Sequence, residues 1–349
     1  MFFASDNASP VPPQIMAALQ KTNDGYASSY GADFEMDEVR RLIREIFEAP
    51  EAEVYLVATG TAANVISLAT LVQPWQAICC HSTAHISVDE CGSPEFYTGG
   101  AKLALIDGDD GKITPAALKT SIGTQVQGFV HSVQHGALSL TNATENGTVY
   151  SAAELKALCD IAKSHGMGTH LDGARFANSV VSTGATPAEM SWKAGIDVLS
   201  FGGTKNGLMG VEAVILFDPK LAWEFELRRK RGGHLFSKHR YLSAQMLAYL
   251  TDGLWLDLAA KANASATKLS KGILKTKGSN LLHPTQANAV FASWSRKGHR
   301  AAHEAGAKYY FWNSDENLEG PDDDLMTARL VSSWCTTDQE IDAFLALIS

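Results

Sequence analysis

Residues 197–207 read Asp197-Val198-Leu199-Ser200-Phe201-Gly202-Gly203-Thr204-Lys205-Asn206-Gly207. An apolar strand runs straight into a glycine turn that carries a lysine. Upstream, Gly168-Thr169-His170-Leu171-Asp172 is a second strand, and its acid lies 33 residues before the lysine. One βα unit fits that gap, so both side chains can emerge at one sheet edge, where open α/β sheets bind their ligands.

The same rhythm extends outward. Val54–Val57 leads through Thr59-Gly60-Thr61-Ala62-Ala63-Asn64 into a helical pattern that reaches Leu71. Ala77–Cys80, Lys102–Ile106, Ala137–Thr141 and Val211–Phe217 read as further strands. Apolar residues at helical spacing predict helices over 36–48 and 151–165, the latter stopped by Gly166, and Asp218-Pro219 has the form of a helix start. Alternating strands and helices predict an α/β domain with a mainly parallel sheet. After about residue 250 the pattern changes to two helical stretches, strands near 288–294, 308–312 and 326–332, and helices at 297–305 and 337–347. The expected division is an N-terminal segment (1–15), a large α/β domain (16–250) and a small C-terminal α+β domain (251–349).

A chain of 349 residues, 45% hydrophobic and 19% charged, is expected to pack as one large and one smaller unit. Its formal charge of −9 argues against a nucleic-acid surface. The local run Arg228-Arg229-Lys230-Arg231 reads as a solvated helix end. Five cysteines without a C-x-x-C pair suggest reduced thiols. With neither a signal-peptide pattern nor a bilayer-length apolar run, a soluble cytoplasmic protein is expected.

The chemistry follows from three turns at strand ends. Lys205, set among glycines, can lose its proton when desolvated and attack a carbonyl to form an imine; taken singly, it is as well explained as a surface or phosphate-binding lysine. Asp172 can keep a pyridine nitrogen protonated, or merely cap the next helix. Thr59, Gly60 and Thr61 offer N–H groups and hydroxyls where a helix dipole favours phosphate. Together, anion turn, acid and lysine match the three handles of pyridoxal 5'-phosphate. Scattered histidines and the absence of H-E-x-x-H give no metal constellation.

The chain resembles the low-specificity L-threonine aldolases and phenylserine aldolases over nearly its whole length. The markers are Ser5-Asp6-Asn7, Tyr30-Gly31-Ala32-Asp33, Asn64, Ala84-His85, Asp89-Glu90-Cys91-Gly92, the run 142–150, Asp172-Gly173-Ala174-Arg175-Phe176, Phe201–Gly207 and Ala328-Arg329-Leu330. The resemblance implies a fold type I, transferase-like large domain and retro-aldol cleavage of β-hydroxy-α-amino acids to glycine and an aldehyde. It further implies that His85 stacks on the pyridine ring, Arg175 lies near the phenolic oxygen, and Ser5 and Arg329 receive the substrate carboxylate. Arg240 and Tyr30 would act across a subunit interface, which implies a homodimer or homotetramer with shared sites. One departure stands out. Many members carry Glu-Asn-Thr-His-Asn where this chain has Thr141-Asn142-Ala143-Thr144-Glu145. The histidine implicated near the substrate hydroxyl is therefore missing; His131 and His135, which read as preceding the strand, do not inherit its role. The base is left open between His85 and a held water. Elimination, racemisation or transamination with the same cofactor is the alternative reading.

Overall fold

The computed structural model describes residues 1–313 and 315–349. Seven strands form the large sheet: β1 (Glu53–Val57), β2 (Gln76–His81), β3 (Lys102–Ile106), β4 (Gln134–Thr141), β5 (Gly168–Gly173), β6 (Val198–Phe201) and β7 (Glu212–Leu216). Their spatial order is β1-β7-β6-β5-β4-β2-β3. Only β7 runs against the rest, antiparallel to both β1 and β6, so the expected mainly parallel sheet is what the chain builds. All four residues of β6 and all five of β7 are buried. That is the signature of strands covered on both faces, where side chains have no solvent face to alternate towards.

The small sheet has the order β10-β11-β9-β8: β8 (Asn280–Leu281), β9 (Ala289–Ser295), β10 (Tyr310–Phe311) and β11 (Leu325–Val331), with antiparallel pairings throughout. It packs its own core around Trp294, Phe344 and Ile273. The N-terminal segment joins this sheet: Phe3 N–H donates to the Lys308 carbonyl (2.7 Å), Val331 N–H donates to the Phe3 carbonyl (2.8 Å), and the Phe3 ring meets Phe344 edge-on at 5.3 Å.

Several elements depart from the sequence reading. Helices Pro13–Thr22, Pro115–Gly123 and Phe176–Thr183 were not anticipated, because their short apolar faces give too few helical repeats. His135 lies within β4 rather than before it, its Nε2 donating to the Gln125 carbonyl at 3.1 Å. The basic run is not wholly solvated. Arg229 is buried, lies over the Tyr55 ring at 5.0 Å and donates to the Leu56 carbonyl, while Arg228 stays on the surface with Glu224. All five cysteines are free. Among the described residues no helix is long and apolar enough to cross a membrane.

An aromatic cluster supports the lysine turn from below. Phe201 stands edge-on to Trp255 (5.4 Å) and to Phe176 (5.9 Å), and Tyr249 lies at 6.0 Å. Above it, Asn206 Nδ2 donates to the Tyr249 hydroxyl (2.7 Å) and the Trp255 carbonyl (2.8 Å). A Cβ at Gly202 would collide with the Ala174 backbone, and one at Gly203 with the Val211 carbonyl, so only glycine lets these segments approach. Lys205 thus projects from a turn fixed on both sides.

Candidate active site

The register Thr141↔Asp172 and Asp172↔Ser200 places the ends of β4, β5 and β6 side by side. Beyond them lies a cavity of about 260 Å³ whose wall includes Thr59, Gly60, Thr61, His85, Asp172, Arg175 and Lys205. A second hollow opens from it, sharing His85, Arg175 and Lys205, and adds Ser5 and Arg329. Nine of the expected site residues therefore converge on one concavity. Tyr30 and Arg240 do not. Tyr30 is about half exposed under the Lys230 ammonium, and Arg240 donates to the Gly25 carbonyl at 3.0 Å, both outside that concavity.

Thr59 caps the helix Gly60–Leu71, its hydroxyl accepting from Ala62 N–H at 3.1 Å. The first N–H groups of a helix have no intrahelical partner, so those of Gly60 and Thr61 remain available at the cavity wall. Asp172 is 3% exposed and fixed at both oxygens: Oδ1 accepts from Ala174 N–H (3.0 Å) and Oδ2 from Asn64 Nδ2 (2.9 Å). The same Asn64 amide donates to Glu90 Oε1 at 2.9 Å, and His85 Nδ1 meets that oxygen at 2.8 Å. Asn64 and Glu90 therefore tie the ring at 85 to the acid at 172.

This hydrogen bonding accounts for the proximity of His85, Glu90 and Asp172, whose ligand-capable atoms lie within 4.8 Å of one another. The bond to Glu90 holds the His85 imidazole above its ordinary pKa, against the opposing effect of burial. Burial in turn raises the Glu90 carboxyl. Glu90→Gln is accordingly expected to lower the His85 titration midpoint towards the ordinary 6.5, followed by NMR of the imidazole protons. An unchanged midpoint would remove Glu90 from this role.

Arg175 is held by Asp6 through a two-point contact, Nε to Oδ2 at 2.7 Å and Nη2 to Oδ1 at 2.9 Å. Burial works to raise the Asp6 carboxyl, and the guanidinium overcomes it, leaving it below the usual range. Asn288, at the edge of the small sheet, also donates to Asp6 Oδ2 (2.9 Å). Asp6→Ala strands a buried cation, which costs about 3–5 kcal/mol in comparable buried pairs. Denaturant unfolding is expected to show a loss of that size, and a loss under about 1 kcal/mol would mean that Arg175 finds another partner.

Lys205 is partly buried, and among the described residues its amine has no hydrogen-bond or ion-pair partner. Its turn is braced by buried Glu212, whose Oε2 accepts from Gly203 N–H at 2.6 Å; burial raises that carboxyl. Arg329, on β11, is also without a carboxylate partner among the described residues, and its pKa is lowered by burial and by neighbouring Arg175. Sequence reading missed the parts played by Asp6, Asn64, Glu90 and Glu212. The first three stand inside the motifs quoted above, but their partners lie 169, 108 and 26 residues away, or 5 in the case of His85.

The donor set fits pyridoxal phosphate. N–H groups at a helix start suit a phosphate, a doubly anchored buried carboxylate suits a ring nitrogen, and an unpartnered amine suits an aldehyde, all on one wall. Fold and site thus define a fold type I pyridoxal-phosphate enzyme. The family model for beta-eliminating lyases matches residues 3–296, and the chain belongs to that family. It is 40% identical over 339 residues to the low specificity L-threonine aldolase of Pseudomonas sp. (strain NCIMB 10558), covering 97% of this chain and 94% of that one. The Pseudomonas aeruginosa protein of the same name is 39% identical over the same shares. A solved threonine aldolase from Leishmania major superposes with a TM-score of 0.91 at 28% identity, covering 99% of this chain and 98% of the other. Sphingomonas wittichii serine palmitoyltransferase shares the fold at a TM-score of 0.71, with 13% identity and coverage of 100% and 86%.

Proposed function

We propose that this chain cleaves β-hydroxy-α-amino acids of the L-threonine, L-allo-threonine and L-phenylserine type to glycine and an aldehyde. The observation that carries the reading is the pairing of an amine at 205 with a guanidinium at 329, both without a hydrogen-bond or ion-pair partner among the described residues and both lining the concavity that Asp172 closes. The relatives named above as low specificity L-threonine aldolases support the substrate class. Bound between Asp172 and Lys205, pyridoxal phosphate supplies a conjugated ring that takes up the electron pair released at the substrate Cα.

The chain's own residues do the rest. Thr59, Gly60 and Thr61 would hold the phosphate, Asp172 would keep a proton on the ring nitrogen, and His85 would cover the ring face. Arg175, fixed by Asp6, would stand near the phenolic oxygen. Arg329 and Ser5 would receive the substrate carboxylate and so orient the Cα–Cβ bond for cleavage, which is easiest when that bond is aligned with the π system. Lys205 moves the proton that completes glycine.

Arg329→Ala is expected to raise KM for L-threonine about 10- to 100-fold, since a hydrogen bond to a charged group is worth roughly 1.5–3 kcal/mol. An unchanged KM would place the carboxylate elsewhere. Arg240 and Tyr30, outside their own chain's concavity, are assigned to the cavity of a second copy in a homo-oligomer acting in the cytoplasm. Incubating the loaded protein with L-threonine and L-phenylserine tests the whole reading. Acetaldehyde, benzaldehyde and glycine are expected; pyruvate and ammonia, or a stable amino form of the cofactor, would overturn it.

A further inference from the structure

We propose that Glu145 is the base that removes the β-hydroxyl proton of the substrate, an inference that rests on the retro-aldol reading above. Glu145 lines both the cavity that holds Lys205 and Asp172 and the hollow that holds Ser5 and Arg329. A substrate whose carboxylate sits on Arg329 and whose amine reaches towards Lys205 passes this side chain. Glu145 is half-buried, yet among the described residues its carboxylate accepts no hydrogen bond and joins no ion pair. An acid that shares this wall with His85, Arg175, Lys205 and Arg329, and is bonded to none of them among the described residues, is available to a ligand.

Its position is fixed by the loop that carries it. Asn142 Nδ2 donates to the Tyr150 carbonyl and its Oδ1 accepts from Tyr150 N–H, both at 3.1 Å. Thr144 N–H donates to the Thr148 carbonyl at 2.9 Å, and the Thr148 hydroxyl to the Asp110 carbonyl at 2.6 Å. The competing base, His85, has its Nδ1 engaged by Glu90, and that bond favours the protonated ring, which cannot accept a proton.

In the step, a carboxylate oxygen of Glu145 bonds to the β-hydroxyl proton, and the O–H electron pair becomes the second C–O bond of the aldehyde. The Cα–Cβ bond breaks, and its pair remains with Cα. Lys205 gives a proton to Cα and regains one from solvent, while Glu145 releases its own to solvent. Net, one proton moves from oxygen to carbon, and no oxidant or reductant is required.

Glu145→Gln tests this, because the amide keeps size and polarity but cannot accept the proton. In the loaded protein kcat for L-threonine cleavage is expected to fall about 100-fold or more, the scale of general-base catalysis. KM is expected to change less than about threefold, and glycine α-proton exchange in D₂O, which needs no β-hydroxyl, should persist. Glycine binding by calorimetry should be retained as well. Glu145→Asp should recover part of kcat. A kcat within about threefold of wild type overturns the inference, as does parallel loss of cleavage, exchange and glycine binding. A wild-type protein that cleaves no β-hydroxy-amino acid sinks the parent reading instead.

Discussion

Lys205→Ala is expected to abolish the near-visible absorbance that the cofactor gains on bonding to a lysine amine, and to cut turnover by at least about 10³-fold, the scale of losing a covalent catalytic group. The structure makes this a clean substitution. Among the described residues the Lys205 amine bonds nothing, while the turn around it is held by Asn206, Tyr249, Trp255 and Glu212. Thermal unfolding without cofactor should therefore be nearly unchanged, and loss of activity would report chemistry alone. A Lys205→Ala protein that kept both colour and turnover would overturn the assignment, since another amine would then carry the cofactor.

Asp172 gives the second large effect, and here stability and chemistry must be separated. Asp172→Ala removes the acceptor for both the Asn64 amide and the Ala174 N–H in a buried setting, and each stranded donor costs about 1–3 kcal/mol. Asp172→Asn retains one acceptor and nearly the same volume, but its neutral amide holds a pyridinium proton poorly. Turnover is expected to fall by about 10²–10³-fold in the Asn variant, comparable to removing a preorganised electrostatic contact from an active site. Cofactor binding, followed by fluorescence quenching, should weaken less than turnover. If Asp172→Asn cleaved threonine at wild-type rate, the ring nitrogen would need another partner.

The main architecture was legible because it rests on local pattern. Short strand-like segments at 54–57, 168–172 and 197–201, each ending in a small-residue or acidic turn, reveal the sheet before any contact is known. The antiparallel entry of β7 was not legible, since direction within a sheet leaves no trace in a five-residue apolar strand. The same contrast holds in the site. Lys205, Asp172 and the Thr59–Thr61 turn stand out because their own neighbours are unusual. Glu212 and Glu145 look like ordinary acids in sequence, and only the meeting of separate strand ends puts them on the cavity wall. Arg229 misled for a related reason: a run of four cations suggests solvent, yet a ring and a carbonyl from β1 cover one of them.

The clasp that Asp6 makes between Arg175 and Asn288 bears on how the protein emerges during synthesis. Asp6 precedes its partner Asn288 by 282 residues, so the two meet only after the small sheet has been made. Until then the large sheet can collapse while its buried guanidinium shares the acid with nothing from the distal half. Slow translation would prolong that interval.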